Sequence, residues 1–172
     1  MQLERRLLLF FTGTARDSAT ILREQQRASA QGDPQTILGL HRIREAAAAC
    51  RQCLEAGDLD GIGALLDYNW REKRRLAAGI TSDRIDELYD VALTHGALGG
   101  KITGAGGGGF LLLYCHEAQQ ESLTEAMERL GLRRMDFRFE RQGVQIAIVS
   151  WDAMAAMQEV RRDLASTGVV YR

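Results

Sequence analysis

The chain has 172 residues, a length that fits one domain with a sizeable core. Its residues are 45% hydrophobic and 26% charged, and a net charge of −1 argues against a strongly basic nucleic-acid-binding surface. Three cysteines, an odd number, favour a reducing compartment over a disulfide framework. No apolar stretch is long enough to span a bilayer, so no membrane partner is expected. Together with the charge and the cysteine count, this predicts a cytoplasmic protein without a nucleic-acid partner.

The first third of the chain predicts one strand and two helices. Residues 7–12 are short and apolar, which is typical of a buried strand. Asp17 or Ser18 can cap a first helix that runs to about Ala30. Asp33 and Pro34 supply an N-cap and a first-turn proline for a second helix, which Gly57 ends.

Two more helices are predicted before a glycine-rich loop. The third carries its apolar side as far as Lys73 and is expected to end just before Gly79. The fourth begins at Ser82 and ends before His95 and Gly96, so a helix is expected to precede the loop.

Beyond the loop, the pattern predicts mainly strands. Residues 110–115 form an apolar run typical of a buried strand, and an amphipathic helix follows and ends at Gly131. A hairpin and a last helix, residues 152–164, complete the prediction. The hairpin strands have alternating apolar residues, Met135, Phe137 and Phe139 in the first and Val144, Ile146 and Ile148 in the second. The predicted fold is α+β, one domain over residues 1–172, with an antiparallel sheet of about four strands and several helices.

Glycine makes up five of the ten residues from Lys101 to Phe110. Glycine permits positive φ angles and lets backbone N–H groups converge on an anion, most often a phosphate. A dinucleotide-binding fingerprint is excluded, because that motif follows a strand and opens a helix, whereas here a helix is expected before the loop and a strand after it. A Walker A loop is excluded because Phe110 occupies the position of its lysine. A flexible linker and a tight crossing of two backbones remain alternatives.

The run from Gly96 to Phe110 closely resembles the third conserved motif of the GHMP kinases, which include galactokinase, homoserine kinase and mevalonate kinase relatives. Two further segments resemble the branch of heptose 7-phosphate and fucose kinases: residues 10–19, at a strand end, and residues 70–86, in a helical substrate-side stretch. One departure precedes Trp70, where the chain has Asp-Tyr-Asn and the family commonly has His-Glu.

The resemblance implies a GHMP-kinase C-terminal domain with a ferredoxin-like sheet. It also implies a part in the ATP- and Mg-dependent phosphorylation of an anomeric hydroxyl. The expected acceptor is D-glycero-D-manno-heptose 7-phosphate, for nucleotide-heptose and surface polysaccharide synthesis. A fucokinase- or galactokinase-like specificity, or a non-catalytic binding module, remains an alternative.

The N-terminal half of such kinases carries a Pro-x-Gly-Leu-Gly-Ser-Ser phosphate loop and the acidic residue that acts as base, and neither occurs in the 172 residues. The resemblance therefore implies a C-terminal half that has no catalytic residue of its own, is inactive alone and needs the N-terminal half as a partner. A homodimer through the surface that this partner covers is a further possibility.

The resemblance also implies two sets of site residues. The nucleotide phosphates are expected at Gly104, Ala105, Gly106, Gly107, Gly108 and Gly109. The sugar or sugar-phosphate substrate is expected at Thr12, Gly13, Arg16, Trp70, Lys73 and Lys101. Each side chain has a structural alternative: an ion pair or helix cap for the arginine, a core position for the tryptophan, and a solvated surface for the lysines. No metal site is expected, because Cys50 and Cys53 form a C-x-x-C pair inside a helical pattern without a second pair.

Overall fold

The computed structural model describes residues 2–14 and 18–143. The chain divides into two compact units, Met1–Arg138 and Phe139–Arg172, and all the elements below belong to the first. Three predictions lie outside the described residues: Arg16, the second strand of the predicted hairpin and the last helix. The expectation of a single domain over residues 1–172 stays a prediction.

Six α-helices and four strands make up the described part of the first unit. The helices are α1 (Gln2–Arg6), α2 (Ser18–Ala30), α3 (Pro34–Ala56), α4 (Leu59–Lys73), α5 (Asp83–Thr94) and α6 (Gln120–Arg129). The strands are β1 (Leu7–Phe11), β2 (Ala97–Ile102), β3 (Phe110–Cys115) and β4 (Arg133–Met135).

Local sequence signals set the helix ends. Asp33 caps α3 by accepting a hydrogen bond from the backbone N–H of Thr36 at 2.7 Å, and Pro34 occupies the first turn. Gly57 ends the same helix in the left-handed conformation, at φ +73°. Ser82 caps α5 through the N–H of Ile85. The predicted positions of α2, α3 and α5 are confirmed.

The four strands form one antiparallel sheet in the order β2-β3-β1-β4. β1 lies in the middle, with Leu8 opposite Leu113 of β3 and Leu9 opposite Met135 of β4. With α2–α5 between β1 and β2, and α6 between β3 and β4, this order is that of a ferredoxin-like fold. The α+β prediction, with an antiparallel sheet of about four strands, is confirmed.

The core lies between the sheet and the helices that contact it. Alternate β1 residues, Leu8 and Phe10, are buried there, as the period of a strand requires. Helices α5 and α6 contribute Leu88 and Met127 to the same cluster. Helix α4 packs against β2 and also contacts α3.

The prediction that a helix directly precedes the glycine loop is wrong, because β2 lies between α5 and the loop. Glycine is disfavoured in strands, so Gly99 and Gly100 obscured this element. Both are required by packing: a Cβ on Gly99 would lie 2.1 Å from the carbonyl oxygen of Gly63 in α4, and one on Gly100 would lie 2.3 Å from that of Leu112 in β3. The helix can therefore cross β2 only where side chains are missing.

Two element ends also differ from the prediction. Helix α4 ends at Lys73, six residues before Gly79, with turns over the intervening segment. The strand predicted around Met135, Phe137 and Phe139 is shorter, because β4 covers only Arg133–Met135. Among the helices described here, none is long and apolar enough to cross a membrane.

Candidate functional site

The glycine-rich loop, residues 103–109, connects β2 to β3. The N–H of Thr103 donates to the carbonyl oxygen of Phe110 at 2.9 Å, which closes the connection. All five glycines of the loop have positive φ angles, from +76° at Gly104 and Gly107 to +138° at Gly108. Residues with a Cβ rarely adopt this conformation, so the glycine content follows from the path of the backbone.

Hydrogen bonds fix the loop at two places. The N–H of Gly107 donates to the carbonyl oxygen of Ile80 at 2.7 Å, and the N–H of Gly109 donates to that of Thr14 at 2.6 Å. Thr12 donates to the Gly109 carbonyl oxygen twice, through its backbone N–H at 2.9 Å and its hydroxyl at 3.0 Å. The loop is thus built into the fold, and a flexible linker is excluded.

Two of the loop glycines lie against backbone. A Cβ on Gly106 would lie 2.8 Å from the carbonyl oxygen of Ile80, and one on Gly108 would lie 2.6 Å from that of Thr14. These distances are far below normal van der Waals contact. The tight crossing of two backbones, one of the sequence-based alternatives, is therefore present in the loop.

The remaining N–H groups of the loop are available as donors. Those of Gly104, Ala105, Gly106 and Gly108 donate to no acceptor within residues 2–14 and 18–143. A depression of about 170 Å³ lies against this part of the loop, lined also by Ser18, Thr103 and Phe110. Ser18 begins α2, and the N-terminus of a helix carries a partial positive charge. The described donors that line the depression suit an anion.

Lys73 and Lys101 lie near each other at one edge of the loop. Lys73, the last residue of α4, donates a hydrogen bond to the carbonyl oxygen of Gly104. Lys101, in β2, donates to Oδ1 of Asn69 at 3.1 Å, and Asn69 lies one helical turn before Lys73. Burial and the nearby charge of Lys101 lower the pKa of Lys73 to about 8, and burial also lowers the pKa of Lys101.

The arginines next to Lys73 are neutralised, in contrast to the lysines. Arg71 pairs with Asp67 at 2.8 Å, Arg74 with Asp86 at 3.2 Å, and Arg75 with Glu72 at 3.4 Å. Neither lysine forms an ion pair with a carboxylate of the described residues. The basic run at the end of α4 is therefore mostly an ion-paired helix surface, and its unpaired charge lies beside the loop.

The structure places Trp70 in the core, and its predicted contact with substrate stays a prediction. Its side chain is 0% exposed and lies in the core, with its ring centroid 6.3 Å from that of Tyr89. A side chain without accessible surface cannot touch a ligand in this conformation. Its indole Nε1 has no hydrogen-bond partner among the residues that the structure describes.

The other predicted substrate residues differ in position. Gly13 is exposed beside the loop anchor Thr12, with φ +75° and open space where a Cβ would be. Thr12 itself holds the loop, and Arg16 lies outside the described residues. Their predicted contacts with substrate stay predictions.

Cysteine and other metal-binding side chains do not converge in the described part of the chain. Cys50, Cys53 and Cys115 are free thiols. Within residues 2–14 and 18–143, no group of three or more His, Cys, Asp or Glu side chains could hold a metal ion.

A polar network behind the site was missed at the sequence level. The hydroxyl of Tyr89 donates to Oδ1 of Asp67 at 2.8 Å and accepts the N–H of Gly100 at 3.1 Å. It thereby joins α4, α5 and the strand that carries Lys101. Asn69 was missed as well, although its spacing of four residues from Lys73 was a usable signal.

Comparison with protein families matches this architecture. The model of the GHMP kinases C terminal family matches residues 46–131, which run from α3 through the glycine loop to the end of α6. The chain belongs to the GHMP kinases. The two lysines and the glycine loop all lie inside the matched part of this GHMP kinase chain.

Curated kinases resemble the chain over most of its length. The chain is 28% identical over 144 residues to the D-glycero-alpha-D-manno-heptose 7-phosphate kinase of Campylobacter jejuni, covering 84% of this chain and 42% of that protein. It is 31% identical over 129 residues to the bifunctional fucokinase/GDP-fucose pyrophosphorylase of Arabidopsis thaliana, covering 75% of this chain and 12% of that protein. The chain thus spans less than half the length of either relative.

Solved structures support the same fold. The Lin0012 protein of Listeria innocua superimposes with a TM-score of 0.72 at 21% identity, over 78% of this chain and 39% of that one. At this identity the match shows a shared fold alone.

Proposed function

We propose that this chain supplies the C-terminal half of an ATP-dependent sugar kinase. The glycine loop carries the proposal, because it combines four unused N–H donors with two lysines that have no carboxylate partner among the described residues. Phosphoryl transfer depends mainly on holding the phosphates and offsetting their charge, and this loop edge has the groups for both.

The nucleotide phosphates would lie against residues 104–109. The N–H groups of Gly104, Ala105, Gly106 and Gly108 suit phosphate oxygens, since these residues line one depression and successive backbone donors can form an anion-binding concavity. Gly107 and Gly109 would act differently, because their N–H groups hold the loop in place. ATP with Mg is the expected phosphoryl donor, and no side chain of the described residues is assigned to the metal.

The proposed acceptor is D-glycero-D-manno-heptose 7-phosphate, phosphorylated at its anomeric hydroxyl for nucleotide-heptose and surface polysaccharide synthesis. The 28% identity to the Campylobacter kinase supports this choice. Lys73 and Lys101 suit an acceptor that carries its own phosphate. A fucokinase specificity is the second candidate, supported by the 31% identity to the Arabidopsis enzyme.

The base and the principal phosphate loop would come from an N-terminal half, consistent with coverage of 42% of the Campylobacter kinase. We propose that the 172 residues alone are inactive, that they act in the cytoplasm and that the face used by the other half could also support a homodimer.

A coupled ATP-consumption assay tests the proposal. The complete kinase that contains this half is assayed with Mg-ATP on heptose 7-phosphate, fucose and galactose, and the 172-residue chain is assayed in parallel. We expect turnover on heptose 7-phosphate by the complete enzyme and none by the chain alone. Preference for fucose would favour the second candidate. If the complete enzyme is inactive on every sugar, the remaining interpretation is a non-catalytic binding module. Turnover by the 172 residues alone would contradict the assignment of the base to another segment.

A further inference from the structure

The use of lysine in this chain is unusual. Of its 22 basic residues, only Lys73 and Lys101 are lysines, and all others are arginines. Arginine forms the ion pairs of other described basic residues, such as those of Arg42, Arg51 and Arg84. Lysine therefore occurs at two positions only, and the fold brings these two together.

The two ammonium groups come near each other from different elements. Lys73 lies in the last turn of α4 and Lys101 lies in β2. Each lysine forms a hydrogen bond with a residue close in sequence to the other lysine. Lys101 bonds to Asn69, one turn before Lys73 on the same helix, while Lys73 bonds to Gly104, three residues beyond Lys101. The charge of Lys101 is close enough to disfavour protonation of Lys73.

Without a bound ligand, this pair of lysines lowers the stability of the folded chain. Two like charges are half-buried, and burial of an ammonium without an anionic partner costs free energy. Each ammonium has three N–H donors, and the described bonds use one on each lysine. The remaining donors and two positive charges match an anion of charge −2 that has several oxygens.

Lysine suits this task better than arginine. Its ammonium is a compact point charge, whereas the guanidinium is a wide planar fork that is adapted to two parallel hydrogen bonds. The compact charge also fits a tetrahedral phosphate approached from two sides.

We propose that Lys73 and Lys101 jointly bind one phosphate dianion at the edge of the glycine loop, as a subsite distinct from the loop N–H groups. The inference rests on the proposed function for the source of that phosphate, which is either the phosphate of the acceptor sugar or a phosphate of the nucleotide. Its chemistry, a terminal phosphate held by two ammonium groups, is the same for both.

The two lysines make a direct test possible. A chain labelled with ¹³C and ¹⁵N in lysine gives side-chain signals from two residues only, so each can be followed without ambiguity. Inorganic phosphate is titrated into the 172-residue chain at pH 7 and constant ionic strength. We expect both lysine signals to move along one saturation curve, with a single Kd, because they contact the same ion.

Variants separate a shared site from two independent charges. In Lys73→Met, the Lys101 signal should report phosphate binding weakened at least about tenfold, and Lys101→Met should do the same to the Lys73 signal. Arg51→Met is the matched control, since it removes one positive charge from the exposed face of α3. It should leave both signals and the affinity unchanged. Backbone amide spectra verify that each variant is folded.

The wild-type titration decides the matter even if a variant unfolds. The proposal is overturned if the two lysine signals do not shift on addition of phosphate, or if they saturate with two different Kd values. It is also overturned if Lys73→Met leaves the affinity at Lys101 unaltered, or if Arg51→Met weakens binding as much as the lysine variants do.

Two further titrations identify the source of the phosphate. Heptose 7-phosphate and Mg-ADP are added separately to the labelled chain, and the compound that moves both signals along one curve supplies the group. A response to inorganic phosphate with none to either compound overturns the link to a kinase substrate. The kinase assay and the phosphate titration test the two proposals separately. If the complete enzyme phosphorylates no sugar, the proposed function is rejected but a measured phosphate site is not. If neither lysine signal responds to phosphate, only this subsite is rejected.

Discussion

The N–H of Gly107 donates a hydrogen bond of 2.7 Å to the carbonyl oxygen of Ile80, so the glycine loop and the segment after α4 lie backbone against backbone. The neighbouring Gly106 lies against the same residue. This contact affects the lysine pair, because it holds the loop next to the end of the helix that carries Lys73. Loop shape and lysine position are therefore coupled.

Substitution of Gly106 should show how much the close packing of the loop against Ile80 contributes to stability. Gly106→Ala adds a Cβ 2.8 Å from the backbone of Ile80 at a φ of +116°, so either the loop or the segment must shift. We expect the free energy of unfolding to fall by about 2–3 kcal/mol. Gly104→Ala is the control: it also has a positive φ, +76°, but no atom lies within 4 Å of the added Cβ, and about 1 kcal/mol is expected. Urea denaturation measures both, and equal losses would show that steric contact with Ile80 is unimportant.

The lowered pKa of Lys73 should make the free energy of unfolding depend on pH. The folded-state pKa is about 8 and the ordinary value is 10.5, so between these values the unfolded chain binds more protons than the folded one. Stability due to this group therefore rises as pH increases from about 8 to 10.5, and the full cost of the buried charge is present below 8.

Lys73→Met removes that cost. Without phosphate, the variant should be more stable than the wild type by about 1 kcal/mol at pH 7, a value that allows for the partial exposure of the side chain. The advantage should vanish as the pH approaches 10.5. Urea denaturation across this range measures it, with Arg51→Met as the control, since arginine does not titrate there. An advantage that grows with pH would contradict the assigned direction of the shift.

The hydroxyl of Tyr89 should be required for the position of β2. Tyr89 is 2% exposed, and Tyr89→Phe leaves the buried N–H of Gly100 without its acceptor and Asp67 without one of its donors. We expect a loss of about 1–3 kcal/mol in the free energy of unfolding. Tyr68→Phe removes a hydroxyl from a residue that is 41% exposed, and should change stability by less than about 0.5 kcal/mol. Indistinguishable values would show that the network does not hold the strand.

The sequence allows those parts of the fold to be predicted that depend on local signals. The caps at Asp33 and Ser82 and the glycine stop at Gly57 are interactions between residues three or four apart. Strand β2 could not be found in this way. Its Gly99 is explained by Gly63, which lies on a helix that crosses it, and that crossing is a property of the assembled fold.

The same distinction applies to the site. Glycines at positive φ and the two lysines could be selected from the sequence, because their residue types are chemically distinctive. Which loop N–H groups remain free could not, since Gly107 and Gly109 lose theirs to Ile80 and Thr14, partners distant in sequence. The closeness of the lysines likewise depends on where α4 ends beside the loop.

Trp70 offers a test of core position against substrate contact. Its ring is fully buried, but its indole N–H finds no partner in the part of the chain that the structure describes. An unsatisfied buried donor costs about 1–3 kcal/mol, so Trp70→Phe removes a penalty while it gives up some packing. We expect a net loss of about 1 kcal/mol, against about 3–5 kcal/mol for Trp70→Ala, which leaves a cavity. The phosphate affinity reported by the lysine signals should be unchanged in the phenylalanine variant. If Trp70→Phe keeps its stability but weakens binding of heptose 7-phosphate about tenfold, the ring would have to reach the ligand in a conformation in which it leaves the core.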